Sequence, residues 1–225
     1  MNICLIPAAG FGKRVGGPPA KEMLMDRESQ RPLIDWSIEL ALESGLKPLI
    51  ITRQDKVSLI SHIESKWRSK GADVFLIEES KEWPESILKS ESKWGDINLM
   101  LLPDTRFAPR SLLRDLIRDC ERGSDLSFAF FRTNESLETW GVLDWSENKM
   151  LRICEKPHNL SSCENQAPWG LIAFQKKIGK KLFSDLLKSN QTHEWFQCEA
   201  SYSLQPLTHF RDITRNLSDF EFEKP

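Results

Sequence analysis

The sequence predicts an α/β fold: a Rossmann-like, mostly parallel mixed sheet with helices on both faces and a small β-rich insertion. Three observations predict it. Short apolar runs bounded by turn residues alternate with segments of helical period through the first part of the chain. One run, Ile97-Asn98-Leu99-Met100-Leu101-Leu102, is almost continuously apolar, as in a strand covered on both faces. Beyond residue 135 the rhythm changes to closely spaced short strands.

Each element follows from local chemistry. A first strand over residues 2–7 runs into a Gly-rich stretch over 10–17. A helix is expected over 32–43, because Pro32 suits a first turn, Ile34, Ile38 and Ala41 share a face, and Gly45 ends it. A strand over 48–52 precedes a helix over 56–70 that places Leu59, Ile60, Ile63 and Trp67 on one side. Then come a strand over 73–77, a helix over 85–93, a strand over 97–102, a helix over 111–122 and a strand over 126–131. Strands over 140–145 and 149–154 flank Ser146-Glu147-Asn148, a hairpin signal. A strand over 169–174, a helix over 176–188, strands over 203–207 and 210–214, and a short helix over 217–222 finish the chain. No repeat, low-complexity stretch or linker interrupts it, so one domain over 1–225 is expected.

Composition narrows the function classes. Hydrophobic residues at 40% and charged residues at 28% suit a globular chain with a real core. A formal charge of −2 supplies no global basic field, so no nucleic-acid partner is expected and any anion must be held by local lysines and arginines. No apolar run approaches the roughly 18 residues that span a bilayer, and the first residues lack signal-peptide character, so no membrane partner and a cytoplasmic location are expected. Five scattered cysteines (Cys4, Cys120, Cys154, Cys163, Cys198) without a CxxC pair argue against a disulfide framework and a zinc site. His62, His158, His193 and His209 form no metal spacing. Trp36 and Trp67 sit in amphipathic patterns and read as packing, whereas Trp140 and Trp169 lie beside the motifs below. A homo-oligomer is left open.

Three segments stand out. The first is Ala8-Ala9-Gly10-Phe11-Gly12-Lys13-Arg14 with Lys21 seven residues on. A glycine turn after a strand lets backbone N–H groups approach a phosphate, and the cations add the charge that a triphosphate requires. A Walker A loop would need Gly at Pro7 and Ser or Thr at Arg14, and a dinucleotide fingerprint would need Gly at Val15. The second is Leu99-Met100-Leu101-Leu102-Pro103-Asp104, which ends a buried strand with a carboxylate able to ligate a hard cation. The third joins Trp140-Gly141-Val142-Leu143-Asp144, Glu155-Lys156-Pro157 and Ala167-Pro168-Trp169-Gly170-Leu171-Ile172-Ala173-Phe174 in that order.

In this order the segments resemble those of the sugar-phosphate nucleotidyltransferases, the pyrophosphorylases of the glucose-1-phosphate thymidylyl- and uridylyltransferase kind. That family opens with an AAGxGTR-like loop and a PK dipeptide, here Ala8 to Arg14 and Ala20-Lys21, with Lys13 in place of threonine and Ala20 in place of proline. Its LLGDN-like segment corresponds to Leu101 to Thr105, with Pro103 in place of glycine. Its YGV, EKP and GLYxF-like segments correspond to the third group. Its WxDIGTPEDL segment is matched more loosely by Phe210-Arg211-Asp212-Ile213-Thr214.

The resemblance implies that a nucleoside triphosphate and a sugar 1-phosphate are the partners and Mg²⁺ the cofactor. It implies nucleotide binding by Ala8, Ala9, Gly10, Gly12, Lys13 and Arg14, and catalysis by Arg14, Lys21 and Asp104. Asp104 and Asp212 would be the metal ligands. Gly141, Glu155, Lys156, Trp169 and Gly170 would bind the sugar phosphate, the glutamate on hydroxyls, the lysine on phosphate and the glycines admitting the sugar. A nucleotide-binding half over about 1–135 and a sugar-binding half over about 136–225 follow. Two rivals stand beside it. A cytidylyltransferase acting on a polyol or alcohol phosphate shares the loop but leaves the Glu155-Lys156-Pro157 block unexplained. A non-catalytic nucleotide-sugar sensor would keep the pocket without the chemistry.

Overall fold

The computed structural model describes residues 1–11, 20–27, 29–146, 150–160, 165–213 and 220–222. In chain order, β1 (Ile3–Pro7) is followed by β2 (Leu24–Asp26), β3 (Arg31–Pro32), α1 (Leu33–Glu43), β4 (Lys47–Arg53) and α2 (Val57–Lys66). Then come β5 (Asp73–Ile77), α3 (Trp83–Lys89), β6 (Ile97–Met100), β7 (Thr105–Ala108), α4 (Leu112–Glu121) and β8 (Leu126–Phe130). The remainder holds β9 (Gly141–Trp145), β10 (Leu151–Glu155), β11 (Asn165–Gln175), α5 (Lys176–Thr192), β12 (Phe196–Cys198), β13 (Tyr202–Pro206), β14 (His209–Asp212) and β15 (Phe220–Phe222).

The main sheet runs β12-β10-β9-β11-β6-β1-β4-β5, with β8 bridging β11 to β13. Strands β5, β4, β1 and β6 are mutually parallel, as helical crossovers between them require. Alternate residues of β1 feed opposite faces: Cys4 and Ile6 join the layer containing Ile34, Ile38, Leu59, Ile63 and Leu116, while Ile3 and Leu5 join Met100, Phe128, Phe174 and Phe183. Helices α1, α2 and α4 therefore cover one face, and α3 and α5 the other. Every β1 residue is buried, which accounts for its uninterrupted apolar composition.

The long strand β11 joins the two regions. Asn165 to Pro168 pair with β9, Trp169 to Phe174 with β8, and Ile172 to Gln175 with β6, all antiparallel. Its register shifts between Trp169 and Leu171, so the chain bends at Gly170. β9 and β10 form the expected antiparallel hairpin, of which turn residues 147–149 lie outside the described residues.

Trp67 is buried, with its indole N–H donating to Asp35, and Trp36 packs edge-on against Phe107 at 5.3 Å, so both are packing residues. The expected helix over 217–222 is overturned where it is described: Phe220–Phe222 is a strand antiparallel to β2, and residues 214–219 lie outside the described residues. β2, β7 and β12 were also absent from the periodicity reading, and α5 runs four residues past its expected end at 188. Cys4, Cys120, Cys154 and Cys198 are free thiols, and Cys163 lies outside the described residues. Among the described residues no helix is long and apolar enough to cross a membrane.

Candidate active site

A cavity of about 480 Å³ opens at the carboxyl ends of β1, β5 and β6, where parallel sheets gather ligands. Ala9 and Gly10 reach it from β1, Lys21 from the short turn before β2, and Asp104 from beyond β6. Asp212 comes from the end of β14, and Gly141, Glu155, Lys156 and Trp169 from β9 to β11. Nine of the residues singled out in the sequence thus meet in one space. Ala8 does not line it: its side chain is wholly buried, and only its backbone bears on the turn. Gly170 does not line it either, because the room left by its missing Cβ is taken by the Phe210 ring. Gly12, Lys13 and Arg14 lie outside the described residues.

The acidic end is compact. Strands β7 and β14 pair antiparallel with Asp212 opposite Thr105, and Ile213 N–H donates to the Asp104 carbonyl at 2.9 Å, so the two aspartates are neighbours across the ladder. Lys21 Nζ donates to Asp104 Oδ2 at 2.5 Å. Burial works against the Lys21 charge, but Asp104, then Glu22 and Asp212, outweigh it and hold its pKa above that of an ordinary lysine. Among the described residues no three His, Cys, Asp or Glu side chains cluster. The Asp104 and Asp212 carboxylates that line the cavity nevertheless fit Mg²⁺, which takes one or two carboxylates and completes its shell with other oxygen ligands.

The opposite end presents buried polar atoms without partners. Glu155 is 5% exposed and Trp169 is 7% exposed, and neither Glu155 Oε1 nor Trp169 Nε1 has a hydrogen-bond partner among the described residues. Both converge on the Cα of Gly141, where an added Cβ would collide with each of them. Burial pushes the Glu155 carboxyl up to about 8, with Lys156 opposing and Glu82 adding to the rise. Lys156 follows with a left-handed backbone (φ 53°), and its N–H is fixed on the Trp140 carbonyl at 2.9 Å. A non-glycine residue in that region is held there by its surroundings and is common at ligand sites. Next to it, His158 is exposed and stacks on His193 at 4.1 Å between ring centroids.

The sequence carries no pattern that assigns a role to Trp83-Pro84-Glu85-Ser86. In the structure Ser80, Glu82, Trp83 and Ser86 also line the cavity. Ser80 and Ser86 share a hydrogen bond of 2.5 Å, Glu82 accepts from Asn190 Nδ2 at 2.5 Å, and Trp83 packs edge-on against Trp169 at 5.8 Å. No local pattern marks Glu82 and Trp83, because their partners lie in α5 and β11.

An α/β sheet with carboxylates beyond its buried strand thus meets a β-rich wall bearing an acid and a lysine. No protein-family model matches the chain, and no curated protein sequence does. Solved structures match it closely in fold. A Bacillus anthracis protein assigned as a glucose-1-phosphate thymidylyltransferase, in complex with sucrose, superposes with a TM-score of 0.75 at 15% identity, over 97% of this chain and 92% of that one. The UDP-glucose pyrophosphorylase of Acinetobacter baumanii gives 0.71 at 18% identity over 97% and 90%. HddC of Yersinia pseudotuberculosis, complexed with GMP-PN, gives 0.68 at 15% identity over 97% and 96%. The fold is therefore shared along nearly the whole chain, despite low sequence identity.

Proposed function

We propose that the protein transfers a nucleotidyl group from a nucleoside triphosphate to a sugar 1-phosphate and releases pyrophosphate. The observation that carries this is the single cavity, with Lys21, Asp104 and Asp212 at one end and the unpartnered Glu155 and Trp169 atoms at the other. A cation beside paired carboxylates that would hold Mg²⁺ suits the phosphates. An unsatisfied carboxyl beside an unsatisfied N–H suits a hydroxyl, which both donates and accepts. An Acinetobacter baumannii structure of this fold is UTP-bound, which supports a nucleoside triphosphate as one partner. Residues up to about 135 then form the nucleotide-binding half and those beyond it the sugar-binding half.

In this reading an oxygen of the sugar 1-phosphate attacks the α-phosphorus in line and pyrophosphate leaves, so no protein nucleophile is needed. The chain's part is to hold two repelling anions in register and to offset the charge that builds up between them. Lys21 reaches the reacting phosphates from its seat on Asp104, while Arg14 and Lys13 would hold the leaving pyrophosphate. Asp104 and Asp212 would hold Mg²⁺, whose charge, when it is bound, offsets that of the phosphates. Glu155 and Trp169 orient the sugar ring, and Lys156 meets its phosphate.

The test is pyrophosphate release across UTP, dTTP, CTP, GTP and ATP, each against several sugar 1-phosphates and one polyol phosphate. Release dependent on both a nucleotide and a sugar phosphate supports the proposal. Release only with CTP and the polyol phosphate, or nucleotide binding with no release, refutes it.

A further inference from the structure

The turn that follows β1 is fastened to the corner where β4 ends and α2 begins. Thr52 Oγ1 donates to the Ala8 carbonyl at 3.2 Å, and Lys56 Nζ donates to the same oxygen at 2.6 Å. Arg53 Nη1 donates to the Ala9 carbonyl at 2.8 Å, and its guanidinium lies 3.8 Å from the centre of the Phe11 ring. All three corner side chains are buried. Lys56 Nζ also donates to Glu22 Oε2 at 2.9 Å, and Glu22, fully buried, is the immediate neighbour of Lys21. Burial lowers the Lys56 pKa, against the opposing pull of Glu22.

These contacts have a directional consequence. In a trans peptide the carbonyl of one residue and the N–H of the next point opposite ways. Holding the Ala8 and Ala9 carbonyls against the corner therefore turns the N–H groups of Ala9 and Gly10 away from it. Ala9 and Gly10 line the cavity, and neither N–H donates to another described residue. A cationic donor on the carbonyl also polarises the peptide and strengthens the N–H at its other end. A surface ion pair would need none of this, and a buried one is weak evidence for stability alone.

We propose that Thr52, Arg53 and Lys56 are positioning residues for polyphosphate binding. They act through the Ala8 and Ala9 carbonyls, and Lys56 additionally ties the turn to the Lys21 segment through Glu22. This rests on the nucleotide-binding reading of the turn. It adds a second layer behind the phosphate contacts, in residues that do not line the cavity.

The probe is inorganic tripolyphosphate, titrated calorimetrically into the full chain, with glucose 1-phosphate as the comparison ligand. Lys56→Met alone would strand the buried Glu22 carboxylate, so it is paired with Glu22→Gln. The double variant should melt close to wild type, bind tripolyphosphate about tenfold more weakly, the scale of one charge-assisted hydrogen bond, and bind glucose 1-phosphate unchanged. Thr52→Val leaves the ion pair intact and should weaken tripolyphosphate about two- to threefold, the scale of a neutral hydrogen bond. A folded double variant, or Thr52→Val, with wild-type tripolyphosphate affinity overturns the proposal, as does a wild-type protein that does not bind tripolyphosphate. Wild-type binding weakened by these variants, but with no pyrophosphate release from any substrate pair, would sink the transferase reading and leave this one standing.

Discussion

Lys21 Nζ sits 2.5 Å from Asp104 Oδ2, joining two segments 83 residues apart in the chain at the mouth of one cavity. The pair places a cation against the carboxylate that follows the buried strand, with Asp212 also raising the Lys21 pKa. Removing the ammonium leaves two neighbouring carboxylates facing an incoming polyanion. Lys21→Met is therefore expected to lower turnover by about a hundredfold or more. Far-UV circular dichroism should stay unchanged, because the side chain sits on the cavity wall rather than in either core layer. Near-normal turnover from the folded variant would remove Lys21 from the site.

Glu155 gives a pH signature. Its folded pKa of about 8 lies above the ordinary 4.5, so the folded state keeps a proton that the unfolded state has lost. The associated stability is fully present below about 4.5 and is lost as pH rises through about 8. Thermal melts of the wild type should fall relative to those of Glu155→Gln between pH 5 and pH 8. Parallel curves across that range would show that burial does not control this carboxyl.

The indole of Trp169 should separate binding from stability. Trp169→Phe keeps the ring contacts with Trp83 and Phe128 and deletes an N–H that has no partner among the described residues. Stability should hold or rise slightly, while KM for the sugar phosphate rises about five- to tenfold with the nucleotide KM unchanged. A stability loss with an unaltered KM would make the tryptophan a packing residue.

Asp35 serves as the structural contrast. Against burial, which alone would raise it, hydrogen bonds from His62, Lys66 and Trp67 hold its carboxyl at about 2. This stability is present above the ordinary 3.8 and is lost as pH falls through about 2. Asp35→Asn should cost about 1–3 kcal/mol in urea denaturation at pH 7, less at pH 3, with both KM values unaltered. An equal cost at both pH values would contradict the charge-based account.

How much of this was legible in the sequence depends on the reach of each interaction. β1 and β6 were readable because burial on both faces leaves apolar runs, whereas β5, an edge strand with only Ile77 buried, still coincides with the expected strand over 73–77. β2, β7 and β15 were not, since each is only three or four residues long and pairs with a partner remote in sequence or with another short strand. The β7–β14 pairing is nevertheless what brings Asp212 beside Asp104. Asp104, Lys21 and Glu155 stood out through motif order, whereas Lys56 entered only as the first residue of the expected helix over 56–70 and Arg53 carried no signal. Their meaning lies in the Ala8 and Ala9 carbonyls 44 to 48 residues away. Gly170 was assigned to ligand access, but its space belongs to Phe210, a contact that no local pattern encodes.

The central claim is that this cavity performs nucleotidyl transfer, and its most direct test is pyrophosphate release by wild type and Asp104→Asn measured side by side over the nucleotide and sugar 1-phosphate panel with Mg²⁺. The account predicts release that needs both substrates in the wild type and a loss of about a hundredfold or more in the folded variant. Equal release from the two proteins, or none from the wild type with any pair, would contradict it.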